Sequence, residues 1–121
     1  MASLSNSVFD SGLSTLTTNG SRIDICSTEP TSYAEATSTY TLGNSAITIG
    51  SPADRTGGGR EVTVDAVADA SVSGTGTAAF YAITNGSNTL YATGSLSSTQ
   101  SVSSGNTFSL GSFTISIPDP A

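Results

Sequence analysis

Residues 77–96 read Thr-Ala-Ala-Phe-Tyr-Ala-Ile-Thr, then Asn-Gly-Ser-Asn, then Thr-Leu-Tyr-Ala-Thr-Gly-Ser-Leu. Two runs rich in β-branched and aromatic residues flank Asn85-Gly86-Ser87-Asn88. Asn and Gly tolerate the positive φ that tight hairpin turns need, so this stretch predicts a β-hairpin. Phe80 and Ala82 fall on one face of the first strand, Tyr81 and Ile83 on the other. Leu90, Ala92 and Leu96 repeat the alternation on the return strand. Both faces are largely apolar, which suits a central hairpin onto which the other strands pack.

Outward from the hairpin, the chain continues as short strands separated by turn residues. Ser21 to Cys26 alternates, with Ile23 and Ile25 against Arg22, Asp24 and Cys26. Ala46 to Ile49 and Glu61 to Val67 read as strands, and Ala70 to Thr75 can pair next. Leu96 to Ser104 reads as a Ser-rich connection. Thr107 to Leu110 and Ser112 to Ile117 close the series, with Phe113, Ile115 and Ile117 predicted to face the core. Pro118 stops the last strand, since proline cannot donate to a sheet ladder. Gly43-Asn44 reads as a turn, and Ser32 to Ala36 as one helical turn capped by Ser32. Seven to nine short strands at this spacing predict an all-β fold, a β-sandwich of jelly-roll or immunoglobulin-like type. The length of 121 residues fits a single domain spanning 1–121. A chain of this size buries roughly 65% of its unfolded surface, enough for one core.

One helix is expected, over residues 4–18. Leu4, Val8, Phe9, Leu13 and Leu16 fall roughly on one helical face. Ser3 is placed to cap its start, and Asn19-Gly20 is a stop signal. Abundant Ser and Thr lower the intrinsic propensity, so packing must hold it. It reads either as a helix lying over its own sheet or as a docking helix, with Leu4 and Val8 as partner contacts.

Residues 50–60 are expected to form the longest loop. The segment holds Pro52, Asp54, Arg55 and three consecutive glycines, Gly57-Gly58-Gly59, followed by Arg60. A phosphate-cradling loop needs Gly-Lys-Ser/Thr leading into a helix; here Arg60-Glu61 leads into a strand. The expectation is a mobile surface loop, with a second reading in which it orders only against a neighbouring subunit. Arg55, Gly57, Gly58, Gly59 and Arg60 are its candidate contact residues.

Composition excludes several function classes. Ser and Thr make up about a third of the chain, and the net charge is −6, with three arginines and no lysine. Nucleic-acid binding by phosphate neutralisation is not expected, nor is attachment to an anionic membrane. There is no histidine, hence no imidazole base or zinc ligand. The carboxylates are scattered; Asp65 and Asp69 stand close together but lack the ligand density of a calcium loop. Ser occurs without a nucleophile-elbow pattern. Neither enzymatic activity nor a cofactor or metal is expected. The single Cys26 rules out an intrachain disulfide and reads as a small packed residue. The first residues lack the basic and apolar regions of a signal peptide, and no apolar run reaches membrane-spanning length. Synthesis and folding in a cytoplasm are therefore expected.

Several stretches, taken in order, resemble small structural proteins encoded among the virion genes of tailed bacteriophages. They are Ile23-Asp24-Ile25-Cys26-Ser27-Thr28-Glu29-Pro30, Tyr33-Ala34-Glu35-Ala36, Gly58-Gly59-Arg60-Glu61-Val62-Thr63-Val64 and Ala92-Thr93-Gly94-Ser95-Leu96-Ser97. Gly105-Asn106-Thr107-Phe108 and Ile115-Ser116-Ile117-Pro118-Asp119 complete the series. The resemblance implies a virion structural role, foremost a capsid decoration (cement) protein of β-sandwich type. Such a protein is made in the host bacterial cytoplasm. It sits on the capsid exterior as a homo-oligomer, often a trimer, and clamps neighbouring copies of the major capsid protein. The alternatives are a tail, neck or fibre-associated virion component and a carbohydrate-binding module.

Overall fold

The hairpin at Asn85 forms, and its turn shows why. The Asn85 side-chain Oδ1 accepts hydrogen bonds from the backbone N–H groups of Ser87, Asn88 and Thr89 at 2.9, 2.9 and 3.0 Å. One carboxamide thus satisfies three turn donors that no strand partner can reach. The computed structural model describes residues 5–118; Leu4 and Ser3 lie outside the described residues.

In chain order the elements are α1 (Asn6–Asn19), β1 (Arg22–Cys26), a short π-helical turn (Glu35–Thr39), β2 (Thr41–Ala46), β3 (Ala53–Asp54), β4 (Arg60–Val64), β5 (Val67–Ser71), β6 (Gly76–Thr84), β7 (Leu90–Val102), β8 (Thr107–Leu110) and β9 (Phe113–Ile117). All strand pairings are antiparallel. One sheet has the order β2-β1-β6-β7; facing it are β3-β4-β9 and the pair β5-β8. Ile23, Ile25 and Ile83 from the four-stranded sheet meet Val62, Val64, Val67, Phe108 and Leu110 from the other strands in a single apolar core. The fold is all-β and sandwich-like with one short helix, as expected.

Helix α1 completes the second layer. Phe9, Leu13 and Leu16 are buried, and the helix lies on β4. Ser5 stands at its N-cap but makes no capping bond to the backbone. Tertiary contacts hold this Ser- and Thr-rich helix instead, including the Thr17 hydroxyl donating to the Gly50 carbonyl at 2.8 Å.

The four-stranded sheet is covered on both faces. Behind the main core, Cys26, Ala36 and Ala82 form a second buried cluster, flanked by half-buried Tyr40, Phe80 and Leu90. The covering segment contains the turn at Ser32: the Glu35 N–H donates to Ser32 Oγ at 3.2 Å. Thr31 N–H and Oγ1 both donate to Glu35 Oε1 at 2.8 Å, which lowers the Glu35 carboxyl below its usual range. On the same face, fully buried Asp24 accepts two bonds from Arg22, at 2.8 and 3.0 Å, and one from the Thr41 hydroxyl at 2.7 Å. Burying a carboxylate is costly unless it is paired in this way.

Several expectations are corrected. Gly43-Asn44 is not a turn but the middle of β2. Glycine stands at 43 because a Cβ there would approach the Ser71 carbonyl oxygen to 2.7 Å and the Phe108 ring to 2.9 Å, where β2 bridges to Val72 at the end of β5. Residues 46–49 do not make a separate strand; Ile49 contributes a lone bridge to Val64. Residues 96–102 are not a connection, because β7 continues through them. The hairpin is central only on its β6 side, since β7 is a sheet edge. The last strand alternates as read, yet Phe113 and Ile115 are only partly buried and Ile117 is exposed, because β9 is also an edge.

Candidate interaction site

The glycine-rich segment is a hairpin and not an open loop. Ala53 pairs with Glu61 and Asp54 with Arg60. Between them, the Gly58 N–H donates to the Arg55 carbonyl at 3.1 Å and the Arg55 N–H to the Gly59 carbonyl at 3.1 Å. Gly57, Gly58 and Gly59 have φ of 91°, 103° and 91°, a left-handed run that only glycine adopts without strain. Arg55 folds back over this tip and donates from Nη1 to the Gly58 carbonyl at 2.9 Å. It enters no ion pair among the described residues.

Arg60 is placed differently. Its guanidinium makes a two-pronged pair with Asp10 of α1, at 2.9 and 3.2 Å, and a 2.7 Å bond to Asp54. Nη2 also donates to the Pro52 carbonyl at 3.3 Å. The planar five-donor fork suits such a junction. Arg60 therefore ties the helix to the hairpin and is occupied within the chain. These carboxylates hold its pKa above the ordinary value.

The junction joins α1 to the glycine-rich hairpin. Arg60 is paired with Ile117 across β4 and β9. Ile117 in turn lies by the helix, where a Cβ on Gly12 would be 3.8 Å from Ile117 Cδ1. Val8, one helical turn earlier, is 56% exposed, and Ile117 is 36% exposed; they are the exposed large apolar side chains among the described residues. Sequence reasoning named Val8 but assigned Ile117 to the core. The alternation of β9 was legible, whereas its edge position was not.

A cleft of about 370 Å³ opens between β7 and the β8–β9 corner. Its floor is the Tyr81 ring against Phe113, with centroids 4.6 Å apart and planes tilted by 48°. Tyr81 lies across its strand partner Gly94: a Cβ there would sit 2.6 Å from the ring. Partial burial raises the Tyr81 hydroxyl pKa above its ordinary value. The wall is a bulge. Ser95 pairs with Phe80 and Gln100 with Ala78, so Leu96, Ser97, Ser98 and Thr99 stand opposite Ala79 alone.

The chemistry available is that of contact and hydrogen bonding. Among the described residues no cluster of His, Cys, Asp or Glu is arranged to hold a metal. The Cys26 thiol is buried, donates to the Ala36 carbonyl at 3.7 Å, and is pushed up to about 12 by burial and then by the nearby Asp24 charge. It is a packed thiol and not a nucleophile. No helix among the described residues is long and apolar enough to cross a membrane. The chain matches no protein-family model, no curated protein and no solved structure.

Proposed function

We propose that this chain is a virion structural protein, a capsid decoration protein that binds the outer surface of the major capsid lattice as a small homo-oligomer, a trimer by preference. The sequence resemblance motivates the reading. The structural observation that supports it is the convergence of Val8, Ile117 and the glycine-rich hairpin on one side of the molecule. Exposed apolar side chains grouped beside a charged rim are a common form of protein contact surface. Cementing requires no reaction. A ligand that binds assembled coat and not free subunits stabilises the assembly by mass action. Oligomerisation lets weak contacts act together on a repeating lattice.

The test is co-sedimentation of the purified protein with empty heads that lack it. Binding that saturates at a copy number commensurate with the coat lattice is expected, and Val8→Asp is expected to weaken it while leaving the circular dichroism spectrum unchanged. Absence of binding by wild-type protein would refute the capsid reading and leave a tail or fibre location as the competing one.

A further inference from the structure

We infer that the cleft between β7 and the β8–β9 corner is a binding site for neutral carbohydrate. Four observations carry this. First, its volume of about 370 Å³ falls in the range of small-ligand sites, about 300–1,000 Å³. Second, no charged side chain lines it, although the chain as a whole carries −6. It therefore offers no opposite charge to an ion, which favours an uncharged molecule as its complement. Third, the floor is aromatic and the rim hydroxylic. Tyr81 and Phe113, packed on each other, supply the aromatic part of the lining, and aromatic side chains can meet the C–H face of a sugar. Ser95, Ser97, Ser98, Ser112 and Thr114 surround them with hydroxyls that take no part in the side-chain hydrogen bonds among the described residues. The Tyr81 hydroxyl is likewise unspent. Gln100 is fixed by its Nε2 donating to the Ser109 carbonyl at 3.1 Å, which leaves Oε1 as an acceptor.

The fourth observation separates a sugar from a peptide. Both β7 and β9 are sheet edges, and an edge is a template for an added strand. Strand addition needs a regular run of free backbone groups. The four-against-one bulge at Leu96–Thr99 breaks that run where β7 borders the cleft, and Pro118 ends β9. The same bulge supplies one wall of the cleft. Bulges re-aim side chains next to binding sites, and Leu96, Ser97 and Ser98 of this bulge line the cleft. The inference stands independently of the capsid reading.

The test is an amide-resolved NMR titration of the full chain with glucose, galactose, N-acetylglucosamine and lactose, and in parallel with an uncharged Ser/Val heptapeptide. Saturable shifts at Tyr81, Leu96, Ser98 and Phe113 are expected with at least one sugar, with Kd of about 1 mM or weaker, as for a small ligand making few hydrogen bonds. Ser97→Trp, an exposed position, is expected to fill the cleft and abolish the shifts. Thr99→Trp, exposed on the same strand but outside the lining, is expected to bind as wild type. Tyr81→Phe keeps the floor and removes one hydroxyl, and is expected to weaken binding about fivefold, the loss for one hydrogen bond. No saturable shift with any of the four sugars overturns the inference. So does sugar binding that survives Ser97→Trp, or saturation by the heptapeptide in place of the sugars.

Discussion

Replacing Gly59 by alanine should damage the fold far more than the same change at Gly57, two residues away in the same glycine run. Both positions have φ of 91°. Forcing an L-residue into left-handed backbone costs roughly 1–2 kcal/mol, partly offset by about 0.5–1 kcal/mol because alanine narrows the unfolded ensemble. At Gly57 that is nearly the whole effect, since the new Cβ would meet only the end of the flexible Arg55 side chain, at 3.7 Å. The expected loss is about 1 kcal/mol. At Gly59 the Cβ would overlap the Ile117 carbonyl oxygen and lie 2.8 Å from Pro118 Cα. Both are backbone atoms, so no rotamer change relieves the contact. Strand β9 must separate from β4 at the Arg60–Ile117 pair, losing ladder bonds worth about 1 kcal/mol each. The expected total is about 3 kcal/mol. Thermal unfolding followed by circular dichroism reads the difference. For a chain this size 1 kcal/mol moves Tm by about 4 °C, so Gly59→Ala should melt about 12 °C lower and Gly57→Ala about 4 °C lower. Equal losses at the two positions, or a greater loss at Gly57, would refute the steric argument and with it the β4–β9 register at this end.

Thr41→Val removes the hydroxyl that donates to buried Asp24 and should cost about 2 kcal/mol by urea denaturation, the range for a hydrogen bond to a charged group; an unchanged midpoint would mean that Asp24 is not held as described. The Cys26 thiol should react with a thiol reagent at pH 8 only as fast as the protein unfolds, because burial raises its pKa from 9.0 to about 12. In the unfolded chain the thiol ionises first, so its contribution to stability is complete below pH 9 and is lost as pH rises towards 12. Tyr81 titrates upward by burial as well and adds a slope of the same sign. Comparison of wild type with Cys26→Ala isolates the thiol, and a pH dependence unaltered by that substitution would contradict its burial.

Local chemistry made much of the architecture legible. The turn at Asn85 needs one residue whose side chain can satisfy neighbouring N–H groups, and the sequence names it. The alternations at Ile23/Ile25, Val62/Val64 and Phe113/Ile115 assign each strand's inward face correctly, because a strand's side chains alternate whatever it packs against. The helix was readable from Phe9, Leu13 and Leu16 for the same kind of reason. Failures occurred where the cause was distant. Gly43 looks like a turn residue in its own neighbourhood, yet it is glycine because Ser71 and Phe108 come too near for a side chain. Gly94 is explained only by the Tyr81 ring that covers it. Arg60 reads in sequence as a candidate contact residue, but its partners are not legible there: its three carboxylate contacts come from Asp10, fifty residues earlier, and from Asp54 across a hairpin.

By itself, then, the sequence determined the all-β class, the place of the tightest turn, the absence of histidine and lysine chemistry, and the inward-facing alternation of β1, β4 and β9. Those are properties of composition and of spacings shorter than a turn or a strand. Tertiary structure alone decided which strands are edges, that Ile117 reaches solvent while Asp24 does not, that Arg60 is consumed as a tie between helix and hairpin, and that the β7 bulge and the Tyr81–Phe113 pair enclose a cleft. Each depends on residues far apart in the chain meeting at a few ångströms, and spacing along a sequence carries no information about such meetings.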